Sequence, residues 1–269
     1  MPDKPGAEAP LLLRQNDGPI AILTLNRPEA RNALSEELMS AMQTALDGIA
    51  SDGTVKVVVI AANGPAFCAG HDLKQLIPHT KDGDRGQAYF SKLFAQCSKL
   101  MQTIVRLPKP VIAQVHGVAT AAGCQLVASC DLAVACDTAK FATPGVNIGL
   151  FCSTPMVALA RNVPRKVAME MLLTGDLVDA KTAKSIGLIN HVATHDDLRV
   201  ATMHLAHKIA SKSRATVKLG KEAFYRQLEM PLAEAYDYAS ETMTRNMMLA
   251  DANEGIGAFI DKRHPNWEA

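Results

Sequence analysis

Two short segments of the chain combine very small side chains with the expected start of a helix. The segment 121–123 is Ala-Ala-Gly and follows the apolar run 111–115, whereas Gly70 and His71 follow the apolar run 66–68. The first amide hydrogens of a helix have no intrahelical partner, so they can hold an anionic or polarised oxygen. Because the carboxyl ends of parallel strands converge on the ligand site, the two corners together predict an oxyanion hole and chemistry through an enolate or a tetrahedral oxyanion. The alternative is that the small residues only let a helix pack closely on a sheet.

The residues nearest these corners offer few groups for acid–base or nucleophilic chemistry. His71, with an ordinary pKa of about 6.5, is a candidate base, or it supplies only its backbone N–H. Gln125, one helical turn after Ala122, either positions a water molecule or is a satisfied polar group of the core. Cys124 and Cys152 become nucleophiles only beside an activating base, and because the sequence pairs neither with a histidine, we interpret both as structural.

Four further polar residues have weaker or structural interpretations. Asn147 and Ser153 are candidates to bind a hydroxyl or carboxylate group of a substrate. Asp72 is interpreted as the N-cap of the helix that follows it rather than as a base. Asp131, which follows the second helix, is interpreted as structural.

Composition and charge exclude several classes of function. The 269 residues are 48% hydrophobic and 20% charged, which is typical of a globular protein with a large core. No run approaches the roughly 18 apolar residues that a membrane helix needs. The formal charge of +1 provides no overall field that would attract nucleic acid or an acidic membrane.

The cysteines and the first ten residues predict the cellular compartment of the protein. The six cysteines form no CxxC pair and lie among apolar residues, so we interpret them as buried reduced thiols and not as metal ligands. The first ten residues, MPDKPGAEAP, resemble neither a secretion signal nor an arginine-rich, acid-poor transit peptide. We therefore expect a cytoplasmic protein in which residues 1–8 form a disordered tail.

Strands and helices alternate in the first half of the chain. Two strands around the turn 16–19 come first, and a helix begins after the N-cap Ser35. The β-branched run 55–61 suits a strand covered on both faces, which indicates a parallel sheet. Apolar residues at three- and four-residue spacing predict a long helix from Tyr89 to Ile104. The polar, glycine-containing segment 78–86 before it is predicted to be a mobile lid.

The second half of the chain differs in secondary structure from the first, because nearly all of it from His195 to Ile260 is predicted to be helical. The expected helices are at about 196–212, 214–229, 231–249 and 251–261. An apolar surface on a late helix would be formed by Met243, Met247, Met248 and Leu249. Such a methionine-rich surface fits either an irregular core or a subunit interface.

Four motifs carry a resemblance to a known family. They are NRPEARNAL at 26–34, AFCAGHDL at 66–73, HGVATAAGCQLVASCD at 116–131, and LTG at 173–175 with AKTA at 180–183 and GL at 187–188. In order and spacing, and over nearly the whole chain, they resemble the enoyl-CoA hydratase/isomerase, or crotonase, superfamily. Within it the chain is similar to divergent members of the enoyl-CoA hydratase domain-containing type. The resemblance implies an α/β crotonase (ClpP-like) fold of repeated ββα turns, with a spiral core over residues 9–195 and a C-terminal helical trimerisation region over 196–269.

The resemblance also implies a ligand and partners. The family binds an acyl-CoA thioester whose carbonyl oxygen is held by two backbone amides, which by position belong to His71 and Ala122. Its trimers often pair, so a homotrimer or homohexamer is expected, with neither a nucleic-acid partner nor a membrane span. No separate cofactor and no metal are expected, because coenzyme A arrives as part of the substrate. The implied role is in fatty acyl-CoA metabolism.

Several residues match positions that surround coenzyme A in the family. By resemblance, the binding set is Arg27, Ala69, Gly70, His71, Asp72, Leu73, Lys74, Gly123, Phe259 and Lys262. In the family, the C-terminal helix often lends an aromatic residue and a lysine to the nucleotide site of the neighbouring subunit, and Phe259 and Lys262 stand at the matching places. Lys109 is a further phosphate candidate by its charge, although most surface lysines are simply solvated.

The chain departs from the family at the two positions that perform hydration. Family hydratases use two glutamates, where this chain has Gln125 and Gly145. A neutral amide exchanges no useful proton near pH 7, and glycine has no side chain. Other branches place an acid eight residues after the second position, where this chain has Ser153. The family membership implies a lyase with His71, Ala122 and Gln125 as catalytic candidates, whereas the two replacements argue against ordinary hydration.

Three functions remain open from the sequence. The first is an acyl-CoA-binding protein, descended from hydratases, that stabilises a thioester enolate. The second is another enolate chemistry, such as thioester hydrolysis, double-bond isomerisation or decarboxylation, with His71 or an ordered water as the base. The third is a non-catalytic acyl-CoA sensor or an assembly partner within a mixed oligomer.

Overall fold

Two β-sheets form the body of the protein in the computed structural model, which describes residues 9–268. In chain order the strands are β1 (Leu12–Asp17), β2 (Ile20–Leu25), β3 (Val57–Ala62), β4 (Ala66–Cys68), β5 (Val111–Val115), β6 (Val118–Thr120), β7 (Leu132–Cys136), β8 (Lys140–Ala142), β9 (Val178–Asp179) and β10 (His191–Ala193). The first sheet has the order β1-β2-β3-β5-β7-β10, and the second has the order β4-β6-β8-β9. The tail predicted at residues 1–8 lies outside the described residues.

Strand pairing produces a repeated unit. Neighbouring strands of the first sheet are parallel except for β1, which is antiparallel to β2. In the second sheet β4, β6 and β8 are parallel, and β9 is antiparallel to β8. Three times in succession the chain places one strand in the first sheet, the next strand in the second sheet, and then a helix. These are the ββα turns expected from the resemblance.

Helices fill the intervals between the strands and form the last part of the chain. They are α1 (Glu36–Ser51), α2 (Leu73–His79), α3 (Gln87–Arg106), α4 (Ala122–Ser129), α5 (Ser153–Asn162), α6 (Arg165–Thr174), α7 (Ala180–Ser185), α8 (Leu198–Ala210), α9 (Arg214–Gln227), α10 (Leu232–Met247) and α11 (Ala250–Ile260). Short 3₁₀ turns occupy Pro28–Ala30 and Pro144–Ile148. None of the helices within residues 9–268 is long and apolar enough to cross a membrane.

Helix α1 shows how the sequence determines local structure. The Ser35 hydroxyl accepts a hydrogen bond from the Leu38 amide at 3.2 Å, which confirms the predicted N-cap. Two glutamates in the first turn interact favourably with the positive end of the helix dipole. The apolar residues at helical spacing are buried, so one face of the helix packs on the sheet while the other faces solvent.

The hydrophobic core lies on both sides of the first sheet. Residues 57–60 of β3 are fully buried, which confirms a parallel strand covered on both faces. The helix α8 also packs on this sheet, against β3, β5 and β7, and its buried residues include Met203 and Ala206. Helix α8 therefore covers part of the first sheet, although it is also the first helix of the region predicted to mediate trimerisation.

Two local predictions differ from the structure. The hairpin ladder continues through Asn16 and Asp17, which pair with Ala21 and Ile20, so the turn is tighter than the predicted segment 16–19. In the predicted lid at 78–86, Pro78 and His79 still belong to α2. The His79 ring stacks on Tyr89 with the ring centroids 3.6 Å apart, so the start of that segment is held against α3.

Candidate active site

The first corner, at the end of β4, presents a free backbone amide at His71. Leu34 pairs with His71 as an isolated parallel bridge: the Leu34 N–H donates to the Gly70 carbonyl at 2.7 Å, and the Asp72 N–H donates to the Leu34 carbonyl at 3.2 Å. In a planar trans peptide the N–H points opposite to the preceding C=O. The His71 N–H therefore points away from Leu34, and it has no partner among residues 9–268.

The second corner, at the start of α4, presents a second free amide at Ala122. Ala121 has the unusual backbone angles φ 51° and ψ −119°, and its own N–H donates to the Ala142 carbonyl at 2.9 Å. A non-glycine residue with positive φ is strained and is held there by its surroundings. Ala122 is the first residue of α4, so its N–H has no intrahelical partner.

The two corners adjoin each other. A Cβ atom on Gly70, which has φ 100°, would lie 2.9 Å from the Ala121 Cβ and 3.5 Å from the Ala122 nitrogen. A Cβ atom on Gly123 would lie only 2.1 Å from the carbonyl oxygen of Cys68. Both glycines are therefore required for the close approach. The arrangement puts two unpartnered N–H groups beside each other, and such a pair can donate to a single oxygen atom.

The His71 side chain lies against α3. Its imidazole meets the Phe94 ring edge to face, with the centroids 5.5 Å apart. Both ring nitrogens are shielded from solvent and lack a hydrogen-bond partner among the described residues. Burial lowers the pKa of His71, an effect that the nearby Leu34 backbone partly offsets. The ring is therefore neutral at pH 7 and has one nitrogen available to accept a proton or a hydrogen bond.

Gln125 reaches the same face of α3. Its side chain is 4% exposed, and its Oε1 accepts a long contact of 3.9 Å from the Cys97 thiol. Cys97 lies one helical turn after Phe94, so α3 brings the carboxamide and the His71 ring to one surface. The Nε2 group of Gln125 donates to no other residue in the described part of the chain.

Gly145, at the second glutamate position, occurs where a side chain does not fit. It lies in the 3₁₀ turn Pro144–Ile148, and a Cβ atom there would be 2.5 Å from the Leu150 carbonyl oxygen and 2.9 Å from the Cys152 sulfur. The hydroxyl of the preceding Thr143 is fully buried and has no hydrogen-bond partner within residues 9–268. The segment that follows Gly145 thus occupies the volume that a glutamate would use.

The remaining polar candidates are not activated as nucleophiles or bases. Burial raises the pKa of the Cys124 thiol to about 12 and also raises that of Cys152, so both are protonated at neutral pH. Ser153 Oγ donates to the Phe151 carbonyl at 3.3 Å. Asn147 is exposed.

Two of the predicted phosphate-binding side chains already form hydrogen bonds within the protein. The Arg27 guanidinium donates to the Ala33 carbonyl at 2.7 Å and to Asp72 Oδ2 at 2.9 Å. Lys109 is buried and donates to the carbonyls of Ile49 and Asp52 at the end of α1, so the prediction of a phosphate contact there is wrong. Because the Lys109 ammonium is buried and bonded to these carbonyls, it cannot also contact a phosphate at the surface.

The other predicted coenzyme A contacts include four exposed side chains, whereas Gly70, Asp72 and Gly123 are buried. Lys74 and Leu73 are exposed at the start of α2, directly after the first corner. Phe259 and Lys262 are exposed at the end of α11. Ala69, Gly70 and Gly123 form the corners themselves. Asp72 Oδ1 accepts from the Lys74 N–H at 3.0 Å, which confirms the predicted N-cap of α2.

Three contributions to the site are not indicated by the sequence. Leu34 orients the first corner through the bridge to His71. The fully buried Asn32 donates to the carbonyls of Asn63 and Ala66, both at 2.8 Å, and so fixes the loop beneath that corner. The third is the unpartnered hydroxyl of Thr143. The first two lie inside the NRPEARNAL motif, and the cluster of polar residues in this motif is the sequence signal that could have indicated them.

Comparison with known proteins identifies the family of the chain. A family described as enoyl-CoA hydratase/isomerase matches residues 15–269. The chain belongs to the enoyl-CoA hydratase/isomerase family. A crystal structure of an enoyl-CoA hydratase from Mycobacterium smegmatis superposes with a TM-score of 0.92 at 52% identity, covering 97% of this chain and 100% of that one. The crotonase fold predicted from the resemblance is thereby confirmed.

Two curated relatives extend the comparison within the enoyl-CoA hydratase/isomerase family. The human enoyl-CoA hydratase domain-containing protein 3, mitochondrial, is 50% identical over 96% of this chain and 83% of its own length. Its crystal structure has a TM-score of 0.91, with 96% of this chain and 100% of that chain covered at 48% identity. A probable enoyl-CoA hydratase of Rhizobium meliloti is 34% identical over 94% of this chain and 95% of its own length.

One expectation is overturned by these relatives. The human, rat and mouse proteins are all named as mitochondrial, so the prediction of a cytoplasmic protein is wrong. The prediction rested partly on six reduced cysteines, which the structure places in buried positions. Buried thiols indicate a reducing environment, but they do not distinguish one reducing compartment from another.

Proposed function

We propose that the protein binds an acyl-CoA thioester and polarises its carbonyl oxygen with the backbone amides of His71 and Ala122. The observation that carries the proposal is the pair of unpartnered N–H groups at two adjoining corners. Developing negative charge on that oxygen, as in a thioester enolate, would strengthen both hydrogen bonds. The family membership supports a thioester as the ligand. Coenzyme A then belongs to the substrate, with the exposed Lys74 and Lys262 as phosphate contacts.

We further propose that this site does not perform ordinary hydration. Addition of water to an enoyl thioester needs one group to deprotonate the water and another to protonate the α carbon. Gln125 has no exchangeable acidic proton near pH 7, and Gly145 lacks a side chain and the space for one. The site thus retains the means to stabilise an enolate without the usual carboxyl pair.

The test is a comparison of binding with turnover in the purified protein. We expect crotonyl-CoA to bind with little hydration, and we expect Gln125→Glu alone to recover no more than a small fraction of a normal hydratase rate. Hydration by the unaltered protein at a rate typical of its family would contradict the proposal. Binding without turnover across a broad acyl panel would favour a non-catalytic acyl-CoA sensor or assembly partner.

A second candidate is isomerisation or another enolate reaction with His71 as base, favoured by its buried, unpartnered ring nitrogens. In isomerisation the ring would take a proton from a carbon beside the carbon–carbon double bond, and the electron pair would pass into the thioester enolate. Return of the proton at the other end of the three-carbon unit would shift the double bond. His71→Ala keeps the backbone donor, so it should abolish turnover but retain binding. Unchanged turnover would exclude His71 as base.

We also propose that the protein assembles as a trimer, or as a pair of trimers. Large apolar side chains on the last helices are exposed in a single chain, namely Phe224, Leu228, Leu232, Tyr236, Met243, Met247, Met248, Ile256, Phe259 and Ile260. An apolar surface of this kind is typical of a protein–protein interface. Sedimentation of the purified protein tests the assembly, and a monomer at micromolar concentration would contradict it.

A further inference from the structure

We infer that Arg27 and Asp72 are positioning residues that fix the direction of the His71 amide. The inference rests on the proposed acyl-CoA site, because it assigns a function to groups beside one of its two donors. It also assigns Arg27 a task other than the phosphate contact implied by the resemblance. The evidence is the pattern of hydrogen bonds between residues 27–34 and residues 69–74.

The direction of the His71 N–H depends on two hydrogen bonds. Leu34 donates to the carbonyl before His71 and accepts from the amide after it, at 2.7 Å and 3.2 Å. Both bonds lie on one side of the backbone, so the intervening His71 N–H must emerge on the other. If the segment around Leu34 moved, the peptide planes on both sides of His71 would be free to rotate.

The Arg27 guanidinium ties the two segments together beside that bridge. Its Nη1 donates to Ala33 at 2.7 Å, and its Nη2 donates to the Asp72 carboxylate at 2.9 Å. Ala33 precedes Leu34, and Asp72 follows His71, so the planar cation spans the two paired segments. The rigid fork of arginine suits this double contact, whereas lysine offers only a point charge on a flexible stem.

The ion pair between Arg27 and Asp72 is largely buried, so its loss should change the structure of the first corner. The side chains of Arg27 and Asp72 are 17% and 10% exposed. The backbone N–H of Arg27 donates to Asn32 Oδ1 at 2.8 Å, so the start of the segment is held as well as its side chain. Removing the guanidinium would leave the Ala33 carbonyl and the Asp72 carboxylate without this donor in a partly buried place.

The test uses a probe that reports polarisation of the carbonyl separately from binding. A coenzyme A thioester of dimethylaminocinnamic acid absorbs at longer wavelength when its carbonyl oxygen accepts hydrogen bonds. We expect Arg27→Met to lose most of the shift seen with the unaltered protein, and Arg27→Lys to retain part of it. Any turnover should fall roughly tenfold or more, as expected for a displaced donor. A full shift with Arg27→Met would overturn the inference.

Two controls separate positioning from phosphate binding. An S-alkyl coenzyme A thioether has no carbonyl, so Arg27→Met should leave its dissociation constant nearly unchanged. A parallel loss of affinity for the thioether would assign Arg27 to the phosphates and overturn the positioning role. Arg14→Met removes another arginine, paired with Asp52 at 2.8 Å in an exposed place, and should leave the absorption shift intact.

A measurement without ligand keeps the inference independent of the proposed function. Amide hydrogen exchange at Leu34 and Asp72 should accelerate in Arg27→Met, because both N–H groups form the bridge that the guanidinium supports. Unchanged exchange at both amides would overturn the positioning role, even if no acyl-CoA bound. Failure of the unaltered protein to bind the thioester would overturn the proposed function alone. If Arg27→Met does not fold, Arg27→Lys and Asp72→Asn serve for the same exchange measurement.

Discussion

Position 145 shows how a single residue can limit the chemistry of a site. The nearest atoms to a Cβ placed there are the Leu150 carbonyl oxygen at 2.5 Å and the Cys152 sulfur at 2.9 Å. Real Cβ atoms do not approach backbone oxygen so closely, so any side chain at position 145 requires the segment 149–152 to move. A hydratase carboxyl pair therefore cannot be restored by substitution at Gln125 and Gly145 alone.

Gly145→Glu should destabilise the fold. We expect a loss of about 1–3 kcal/mol from overpacking, or more if the following segment cannot relax. The matched control is Gly48→Ala on α1, where a Cβ atom meets nothing within 4 Å. That change should be neutral or should stabilise by up to about 1 kcal/mol. Urea unfolding of both variants measures the difference, and equal stability of Gly145→Glu and the unaltered protein would contradict the packing argument.

His71 should make the stability depend on pH. Burial lowers its pKa in the folded protein, so the unfolded chain takes up a proton more readily. Full stability is present above the unfolded pKa of about 6.5 and is lost as the pH falls towards the folded pKa. Between pH 7 and 5 the unaltered protein should lose more unfolding free energy than His71→Gln. Urea titrations at several pH values test this, and identical pH dependence of the two proteins would contradict it.

The sequence predicts the two backbone corners better than the contacts that support them. His71 and Ala122 are found at adjoining corners, and Asp72 caps α2 as predicted. These features depend on local patterns of small residues and helix starts. The bridge to Leu34 and the burial of Lys109 depend on pairing between distant segments, which no local pattern specifies.

At the scale of elements, Asp131 joins the core to the C-terminal helices. It follows α4 and accepts hydrogen bonds from the Val111 amide at 2.6 Å, from Lys221 at 2.7 Å and from Tyr225 at 3.0 Å. Burial raises the pKa of Asp131, and the Lys221 charge and the three hydrogen bonds partly oppose that shift. The residue was predicted to be structural. Its partners on α9 are one helical turn apart, a spacing that could have indicated a shared contact.

Removing a partner of Asp131 should therefore be costly. Lys221→Met leaves a buried carboxylate without its counter-ion and should destabilise the protein by about 3–5 kcal/mol. Tyr225→Phe removes one hydrogen bond and should cost about 1–3 kcal/mol. Arg161→Ala breaks an ion pair with Glu229 whose side chains are both exposed, and it should change the stability little. Equal effects of the three changes in urea unfolding would contradict the argument.

Whole elements are predicted where periodicity is strong. The long helix α3 and the four late helices lie close to their predicted ranges, because apolar residues recur at helical spacing. The segment 78–86 is predicted less well. Its polar composition indicates a loop, but tertiary contact of His79 with Tyr89 holds part of it as the end of α2.

At the scale of the whole molecule, the last helices leave an apolar surface uncovered in a single chain. Leu232 and Met248 are 76% and 80% exposed at the two ends of α10. Burying such side chains in a subunit interface stabilises by about 1.5–3 kcal/mol each. The proposed trimer gives these residues a function that the fold of one chain does not.

Charge introduced on this surface should weaken assembly. We expect the double variant Leu232→Lys and Met248→Lys to shift sedimentation towards the monomer, because buried ammonium groups would lack partners. Val200→Lys changes a similarly exposed apolar residue on α8 and is the matched control. Intact assembly of the double variant, with its helical content retained, would contradict a role for this surface.

The bond between the Ala121 N–H and the Ala142 carbonyl has a consequence for biosynthesis. The segments that hold the first corner, residues 27–34 and the strand β6 paired with β4, are translated by residue 120, whereas the acceptor for the Ala121 N–H lies in β8. A nascent chain that ends before Lys140 therefore lacks the carbonyl that holds the Ala121 amide. Translation thus completes the contacts of the first corner before those of the second, which depends on a backbone carbonyl supplied by a later strand.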